Sequence, residues 1–445
     1  MLQLQEYNID FLRYVILIAP LLWTGLAILF FRPDKRELAG AFIASLWNFS
    51  LLIPINIMAK SFGWWTFHTE TALFFGLPID VMVGWAIFWG ASIFLLLRGK
   101  DFLLAIIAVF SIDLIFMPQL TKLFSLGSNW FVGEFCVLTV CFIPGWFIAS
   151  FTSQDIFVKF RALAQAIITA FIIFIFLPAA LLEQTGRSIF EIMNWSQFKI
   201  VLFLNLIGIP IILGLAGNQE FAERGNGTPI PLDPPKTLVT SGPYAYLGNP
   251  MQLSVVVYLI ISAIFYESVA VLSAAVMAVI YCLGIVKSHH SIDLVPRFGN
   301  GWLEYRSKVP YWFPIWKPCI KKSSVIYFAR SCGICSDTEK WFMSQKPSNL
   351  IFRNISEHKK QLNRVTYRYP NGMEVEGVYA ISSAMNHINF AFALFGWAMR
   401  LPIIRQFLQL IFDFTGERAS ATICDTKLNV AKSKKKYKSK RTLDR

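Results

Sequence analysis

Long apolar runs dominate this chain and leave it few folds to choose from. They lie near residues 14–31, 38–58, 74–97, 102–117, 130–151, 163–183 and 199–216, and a longer run extends from Met251 to Ile285 with a break near Tyr266-Glu267. A helix needs roughly 20 mostly apolar residues to cross bilayer hydrocarbon. The first seven runs are of about that length, and the last reads as two helices in a tight hairpin. In lipid every backbone N–H and C=O must be satisfied within the segment, so helices are the structure that spans. The expected fold is an all-α polytopic membrane protein of about nine transmembrane helices, followed by a smaller C-terminal α/β domain. No soluble domain needs this many apolar runs, and the composition agrees: 55% of residues are hydrophobic and only 15% charged.

Basic residues set the expected orientation. Arg32, Lys35 and Arg36, then Arg98 and Lys100, then Lys159 and Arg161, then Arg224 and Lys236 fall on one side of the runs, and Lys60, Lys122 and Arg187 on the other. Lys and Arg collect on the cytosolic side, which puts the N-terminus outside and the C-terminus in the cytosol of a multi-pass protein of bacterial inner-membrane type. The net charge of +14 gathers in those loops and in the tail AKSKKKYKSKR, Ala431 to Arg441. Such a tail attracts anionic lipid headgroups, so the bilayer is the expected partner and nucleic acid is not. Before the first run the residues are polar and acidic with Arg13 the only base, which is not the pattern of a cleavable signal. The seven cysteines, Cys136, Cys141, Cys282, Cys319, Cys332, Cys335 and Cys424, are odd in number and scattered, unlike a secreted disulfide framework. Only Cys332 and Cys335 have a spacing with chemistry attached, and with no second pair nearby a metal site is not expected.

Three polar regions interrupt this pattern. In the first unit, residues 1–196, acids stand where lipid should be: Asp80 after Gly76 and Pro78, Asp113 in SIDLIFMPQL, and Glu134 in NWFVGEF. Intramembrane acids are costly and become functional candidates by default. The succession of a Trp-Thr-Phe stretch, a Gly-x-Pro-x-acid and an Asp-x-x-x-x-Pro over roughly residues 60–150 weakly resembles the carotenoid hydratases and heterodimeric-type lycopene cyclases. That likeness implies action on isoprenoid chains.

The second region, Gly225 to Gln252, is GNGTPIPLDPPKTLVTSGPYAYLGNPMQ. Pro229, Pro231, Pro234 and Pro235 forbid helix, and the glycines allow close approaches that a side chain would block. A stiff, small-residue segment beside membrane helices suits an extended polar cofactor. Together with RFGNGWLEYRSKVPYWFP, Arg297 to Pro314, it resembles the isoprenylcysteine carboxyl methyltransferase and phospholipid methyltransferase superfamily, from about Gly217 to Pro318 within a unit of residues 197–318. The resemblance implies a membrane methyltransferase that uses S-adenosylmethionine, with Gly242, Pro243, Tyr244, Tyr246, Asn249, Pro250 and Gln252 around the cofactor. The chain departs from the family in two places. The usual Arg is Gly248 and the usual Tyr is Gln252, which removes an expected cation. The usual glutamate pair falls on His290 and Ser291, or on His289 and His290 one register earlier. Asp293, one helical turn along, is then a substitute for one Glu, His290 is a base for a thiol or hydroxyl acceptor, or the unit is a degenerate, lipid-binding scaffold.

The third region begins at Ser323. SSVIYFARSCGICSDTEKWF reads as a strand, a Cys-containing turn and a helix beginning at Cys335, whose N-terminus favours thiolate at Cys332. A hairpin at Tyr369-Pro-Asn-Gly372 and a GVYAIS strand follow. Residues 323–420 resemble the DCC-type thiol-disulfide oxidoreductases, which implies a thioredoxin-like fold with Cys332 attacking and Cys335 resolving, and a cytosolic thiol partner; residues 421–445 form the basic tail. The family's Asp-Gly-x-Cys is Ala329-Arg330-Ser331-Cys332 here, which loses the acid, and Arg330 is expected to favour the thiolate further. Three functions follow. One is a methyltransferase acting on a lipid, isoprenoid or lipophilic thiol, fused to the thiol module. Another is a membrane-anchored thiol-disulfide oxidoreductase on a degenerate scaffold, and the third an isoprenoid- or carotenoid-modifying enzyme.

Overall fold

The computed structural model describes residues 8–69, 71, 73–229, 233–330 and 333–414, without the side chains of 285–287 and 289–291. Pro231, Cys332, the tail and the side chain of His290 therefore lie outside the described residues.

Seven helices are long and apolar enough to cross a membrane: α1 (Ile9–Phe31), α2 (Lys35–Phe62), α3 (Ile79–Leu96), α4 (Phe102–Gln119), α5 (Trp130–Ser153), α6 (Val158–Gln184) and α7 (Gln197–Gly225). Each falls on one apolar run of the sequence. The run from Met251 becomes α8 (Pro250–Phe265) and α9 (Val269–His289), broken where Glu267 turns to a positive φ of 49°. With 16 residues α8 is shorter than the roughly 20 a bilayer needs. By length and composition the described residues thus hold seven spans, and the α8–α9 pair accounts for the difference from the nine expected.

Local signals fix where these helices begin. Asp34 and Glu37 form a reciprocal capping box, each side chain 2.8 Å from the other's backbone nitrogen, which satisfies two orphan donors at the start of α2. Arg98 then holds Glu37 at 2.7 Å. Close packing uses small residues, as in other membrane bundles. A Cβ at Gly84 in α3 would lie 2.3 Å from the carbonyl oxygen of Ile16 in α1.

The chain divides into two compact units. The first comprises Met1–Phe203, Phe221–Thr237 and Tyr258–Met277. In it α2 packs against α3 and α5, and a two-stranded ribbon pairs β1 (Trp65–Phe67) antiparallel with β2 (Phe124–Leu126). The second comprises Leu204–Glu220, Leu238–Val257 and Ala278–Arg445. After α10 (Val295–Arg306) it carries a small mixed sheet of β3 (Ser324–Phe328), β4 (Leu350–Asn354), β5 (Thr366–Arg368) and β6 (Glu374–Glu376), in the order β4-β3-β5-β6. β3 and β4 are parallel, joined through α11 (Gly333–Ser344), and the other pairings are antiparallel. The β5–β6 connection is the Tyr369–Gly372 turn, closed by Gly372 N–H on the Tyr369 carbonyl at 2.9 Å.

Helices α12 (Val378–Met385), α13 (Phe390–Arg400) and α14 (Pro402–Phe414) complete the unit. Here the structure corrects the sequence reading: GVYAIS is not a strand. Val378, Ala380, Ile381, Ala384 and Met385 are all buried, so burial on every side hides the periodicity that separates helix from strand, and packing overrides β-propensity. Helix α11 likewise already includes Gly333 and Ile334 ahead of Cys335.

Candidate functional site

The two blocks of sequence read as a cofactor loop come together in the second unit. Gly242 to Ala245 make a 3₁₀ turn, and Gly242 has φ of +56° with its Cα packed over Glu220, where a Cβ would meet Glu220 Cγ at 2.5 Å. Only glycine fits that conformation and that gap without strain. The following residues pair with the second block as an extended segment. Tyr305 donates its hydroxyl to the Tyr244 carbonyl at 2.8 Å, Gly248 N–H bonds Pro310 O at 2.8 Å and Asn249 N–H bonds Tyr311 O at 3.2 Å. Asn249 then precedes Pro250, the first residue of α8, a place where a missing N–H costs nothing.

A buried ion pair anchors this loop. Glu220, at the end of the apolar α7 run, is 3% exposed and accepts from Ser241 Oγ at 2.7 Å and from Arg400 Nη1 at 3.2 Å. Arg400 also donates to Ser382 and Ser383 at 3.2 and 3.1 Å and lies over the Tyr379 ring. Tyr246 is fully buried, bonds the Asn386 carbonyl at 2.9 Å and packs edge-on to Phe390 and Trp397. Burial pushes the phenols of Tyr244 and Tyr246 up, so both stay neutral and act as hydrogen-bonding and packing groups, not as bases.

Two polar atoms in this loop have no hydrogen-bond partner although both are buried: Asn249 Nδ2 and Gln252 Oε1. They lie three residues apart at the first turn of α8 and offer one donor and one acceptor. A guanidinium lies beside Gly248. A Cβ at Gly248 would lie 2.9 Å from Nη1 of Arg306, whose guanidinium stacks on Tyr311, bonds the Val309 carbonyl and keeps its Nε buried without a partner. Asp293 is held by Arg297 at 2.8 Å, both side chains 29% exposed. Sequence reasoning missed Glu220, Arg306 and Arg400. An acid closing a long apolar run was the available signal for Glu220; nothing local marks Arg400.

The thiol region is described at Cys335, buried in the first turn of α11. Arg330, expected to act on Cys332, is engaged by the buried carboxylate of Glu339 at 2.7 to 3.1 Å, so its charge is offset.

In the first unit the three acids separate into two kinds. Asp80, in the first turn of α3, receives Arg13 through both carboxylate oxygens at 2.9 Å. Asp113 of α4 and Glu134 of α5 are instead buried and form no ion pair among the described residues. They line a cavity with Leu52, Asn56, Trp65, Trp85, Trp89, Met117 and Val137, and Asp113 Oδ2, Glu134 Oε1 and Trp89 Nε1 are buried without partners. The ribbon puts Trp65 there, its indole N–H on Asn56 Oδ1 at 2.8 Å.

Also in the first unit, a charge cluster fixes the front of the Pro-rich loop. Arg161 pairs with Asp233, and Arg36, Arg161 and Lys236 converge on Asp155. Partial burial alone would raise the Asp155 carboxyl, but hydrogen bonds from Lys236 and Arg36 outweigh it and hold it down to about 2. Among the described residues no group of three or more His, Cys, Asp or Glu is placed to hold a metal ion. No family model, no curated protein and no solved structure matches this chain.

Proposed function

We infer that the chain is an integral-membrane methyltransferase that uses S-adenosylmethionine and acts on a lipid, an isoprenoid or a lipophilic thiol, with a thioredoxin-like thiol-disulfide module in its C-terminal part. The observation that carries this reading is the unpartnered pair Asn249 Nδ2 and Gln252 Oε1. A buried donor or acceptor left unmade costs about 1–3 kcal/mol, and a ligand with complementary groups removes that cost.

The residues fit the cofactor. Arg306 offers a cation and a buried N–H for a carboxylate, Asn249 donates, Gln252 accepts, and the neutral phenols of Tyr244 and Tyr246 shape the wall. S-adenosylmethionine supplies an electrophilic methyl group, and the chain's task is to bind, align the acceptor and exclude water, without a strong acid or base. His290 takes a proton from a thiol or hydroxyl acceptor in this scheme, and Asp293 stands in for one family glutamate. The test is transfer of labelled methyl from S-adenosylmethionine into lipid extract by the purified full-length protein. Label in the lipid fraction that disappears in Asn249→Ala is expected; an unlabelled fraction from folded protein contradicts the reading.

The sheet order β4-β3-β5-β6, with one parallel and two antiparallel pairings and Cys335 in the first turn of α11, supports the thioredoxin-like reading of the module. Cys332 is its attacking thiolate and Cys335, which is buried, the resolving thiol. Faster alkylation of Cys335 than of Cys332 in the reduced protein would reverse those roles. If the cofactor does not bind, the module becomes the working part and the membrane portion its anchor.

A second reading rests on the Asp113–Glu134 cavity. A carboxylic acid beside three tryptophans can protonate an apolar double bond and stabilise the cation that forms, the chemistry of isoprenoid modification. Asp113, rather than the arginine-bound Asp80, is its acid. Polyprenoid or pigment extracts unchanged by Asp113→Asn would count against it.

A further inference from the structure

The last described helix, α14, is amphipathic the wrong way round for a soluble surface. Ile403, Ile404, Phe407, Leu410, Ile411 and Phe414 are exposed, at 82, 41, 63, 69, 42 and 92%, and their spacing of three and four residues puts them on one helical face. The opposite face is pinned to the second unit. Gln409 Oε1 accepts from Val378 N–H at 2.9 Å, Gln409 Nε2 donates to Asp413 at 2.9 Å, Arg364 holds Asp413 through Nε and Nη2 at 3.0 and 2.5 Å, and Leu408 and Phe412 pack on the core. The apolar stripe is therefore held outward by its own polar side and cannot turn in.

We propose that α14 is an in-plane anchor whose Ile403–Phe414 stripe inserts into the interfacial layer of the bilayer. Three observations select lipid over another occupant. At 13 residues, about 20 Å of helix, α14 is too short to span but suits lying in the interface. The same chain carries seven helices fit to cross a membrane, so a bilayer is always present. Seven Lys and Arg follow between Lys432 and Arg441, a charge complementary to anionic headgroups. Apolar insertion joined to a basic segment is the two-signal combination that makes interfacial binding firm. The proposal is independent of the methyl-transfer reading.

The test uses the full-length protein in vesicles of mixed zwitterionic and anionic phospholipid, with the photo-crosslinker p-benzoylphenylalanine placed at Phe407, Leu410 or Phe414, and at the exposed Lys359 as control. Adducts on lipid acyl chains at the three stripe positions, and none at Lys359, are the expected result. Crosslinks from the stripe to a second copy would overturn the proposal in favour of a dimer face, and the absence of lipid adducts from all three would overturn it outright. Stripe adducts should fall several-fold when anionic lipid is left out. An unchanged yield would overturn the part assigned to the basic segment.

Discussion

The two buried polar sites of this chain are built in opposite ways. In the loop of the second unit the buried acid is matched, Glu220 against Arg400, and what remains without a partner is one amide nitrogen and one amide oxygen at the start of α8 and the Nε of Arg306. In the cavity of the first unit Asp113 and Glu134 line one pocket with three tryptophans, and no ion pair among the described residues answers them. Elsewhere the buried carboxylates Asp233 and Glu339 have arginines too. A carboxylate met by an arginine is a structural tie, and its charge is used up. The loop leaves hydrogen-bonding atoms unpartnered on a rigid frame, whereas the cavity leaves carboxyl groups without a cation.

That contrast can be broken most forcefully at Arg400. Arg400→Met leaves Glu220 buried and uncompensated, which should cost ~3–5 kcal/mol and lower the thermal midpoint of the detergent-purified protein, and adding Glu220→Gln should recover much of the loss. An unchanged midpoint in the single variant would show that the pair does not hold the loop.

A buried group satisfied in its neutral form sharpens the comparison through pH. His387 lies between the Ser348 carbonyl and the Tyr367 hydroxyl at 2.6 and 2.8 Å, and burial pulls it down to about 4. An unfolded histidine titrates near ~6.5, so between those values the unfolded chain binds the extra proton. Stability from this site is intact above pH ~6.5 and falls as pH drops towards about 4, by roughly 3 kcal/mol in all. The pH profile of thermal unfolding should flatten over that interval in His387→Gln.

At the loop itself the effects on folding should be small and those on binding selective. Asn249→Ala and Gln252→Ala remove no hydrogen bond within the chain, so stability should move by under ~1 kcal/mol, while affinity for S-adenosylmethionine falls about tenfold in each. A large loss of stability would mean that the amides are structural.

In the cavity the smallest shift is expected. Asp113→Asn keeps a hydrogen-bonding group beside Glu134 and should leave the melting temperature nearly unchanged. The infrared carbonyl band of a protonated carboxyl should nevertheless shift in frequency at neutral pH, and it should disappear when Glu134→Gln is added. Persistence of that band in the double variant would place its source outside the cavity.

Much of the fold was legible in the sequence because hydrophobic length is a local property: each of the seven long helices sits on one apolar run, and the break at Tyr266-Glu267 separates α8 from α9. The first block of the loop was legible through its Pro and Gly residues. Its partners were not. Arg400 is 180 residues from Glu220 and Arg13 is 67 from Asp80, and no periodicity connects such positions. The nearness of Arg306 of the second block to Gly248 becomes visible only when the two blocks pair. Val378–Met385 misled because complete burial erases the alternation on which a strand is recognised.

The central claim is that the Gly242–Gln252 loop binds S-adenosylmethionine, and calorimetric titration of that cofactor into the detergent-purified full-length protein, beside Asn249→Ala and Gln252→Ala, tests it most directly. The account predicts saturable binding that weakens in both variants while their melting temperatures hold. Absence of binding by the folded wild-type chain would contradict it.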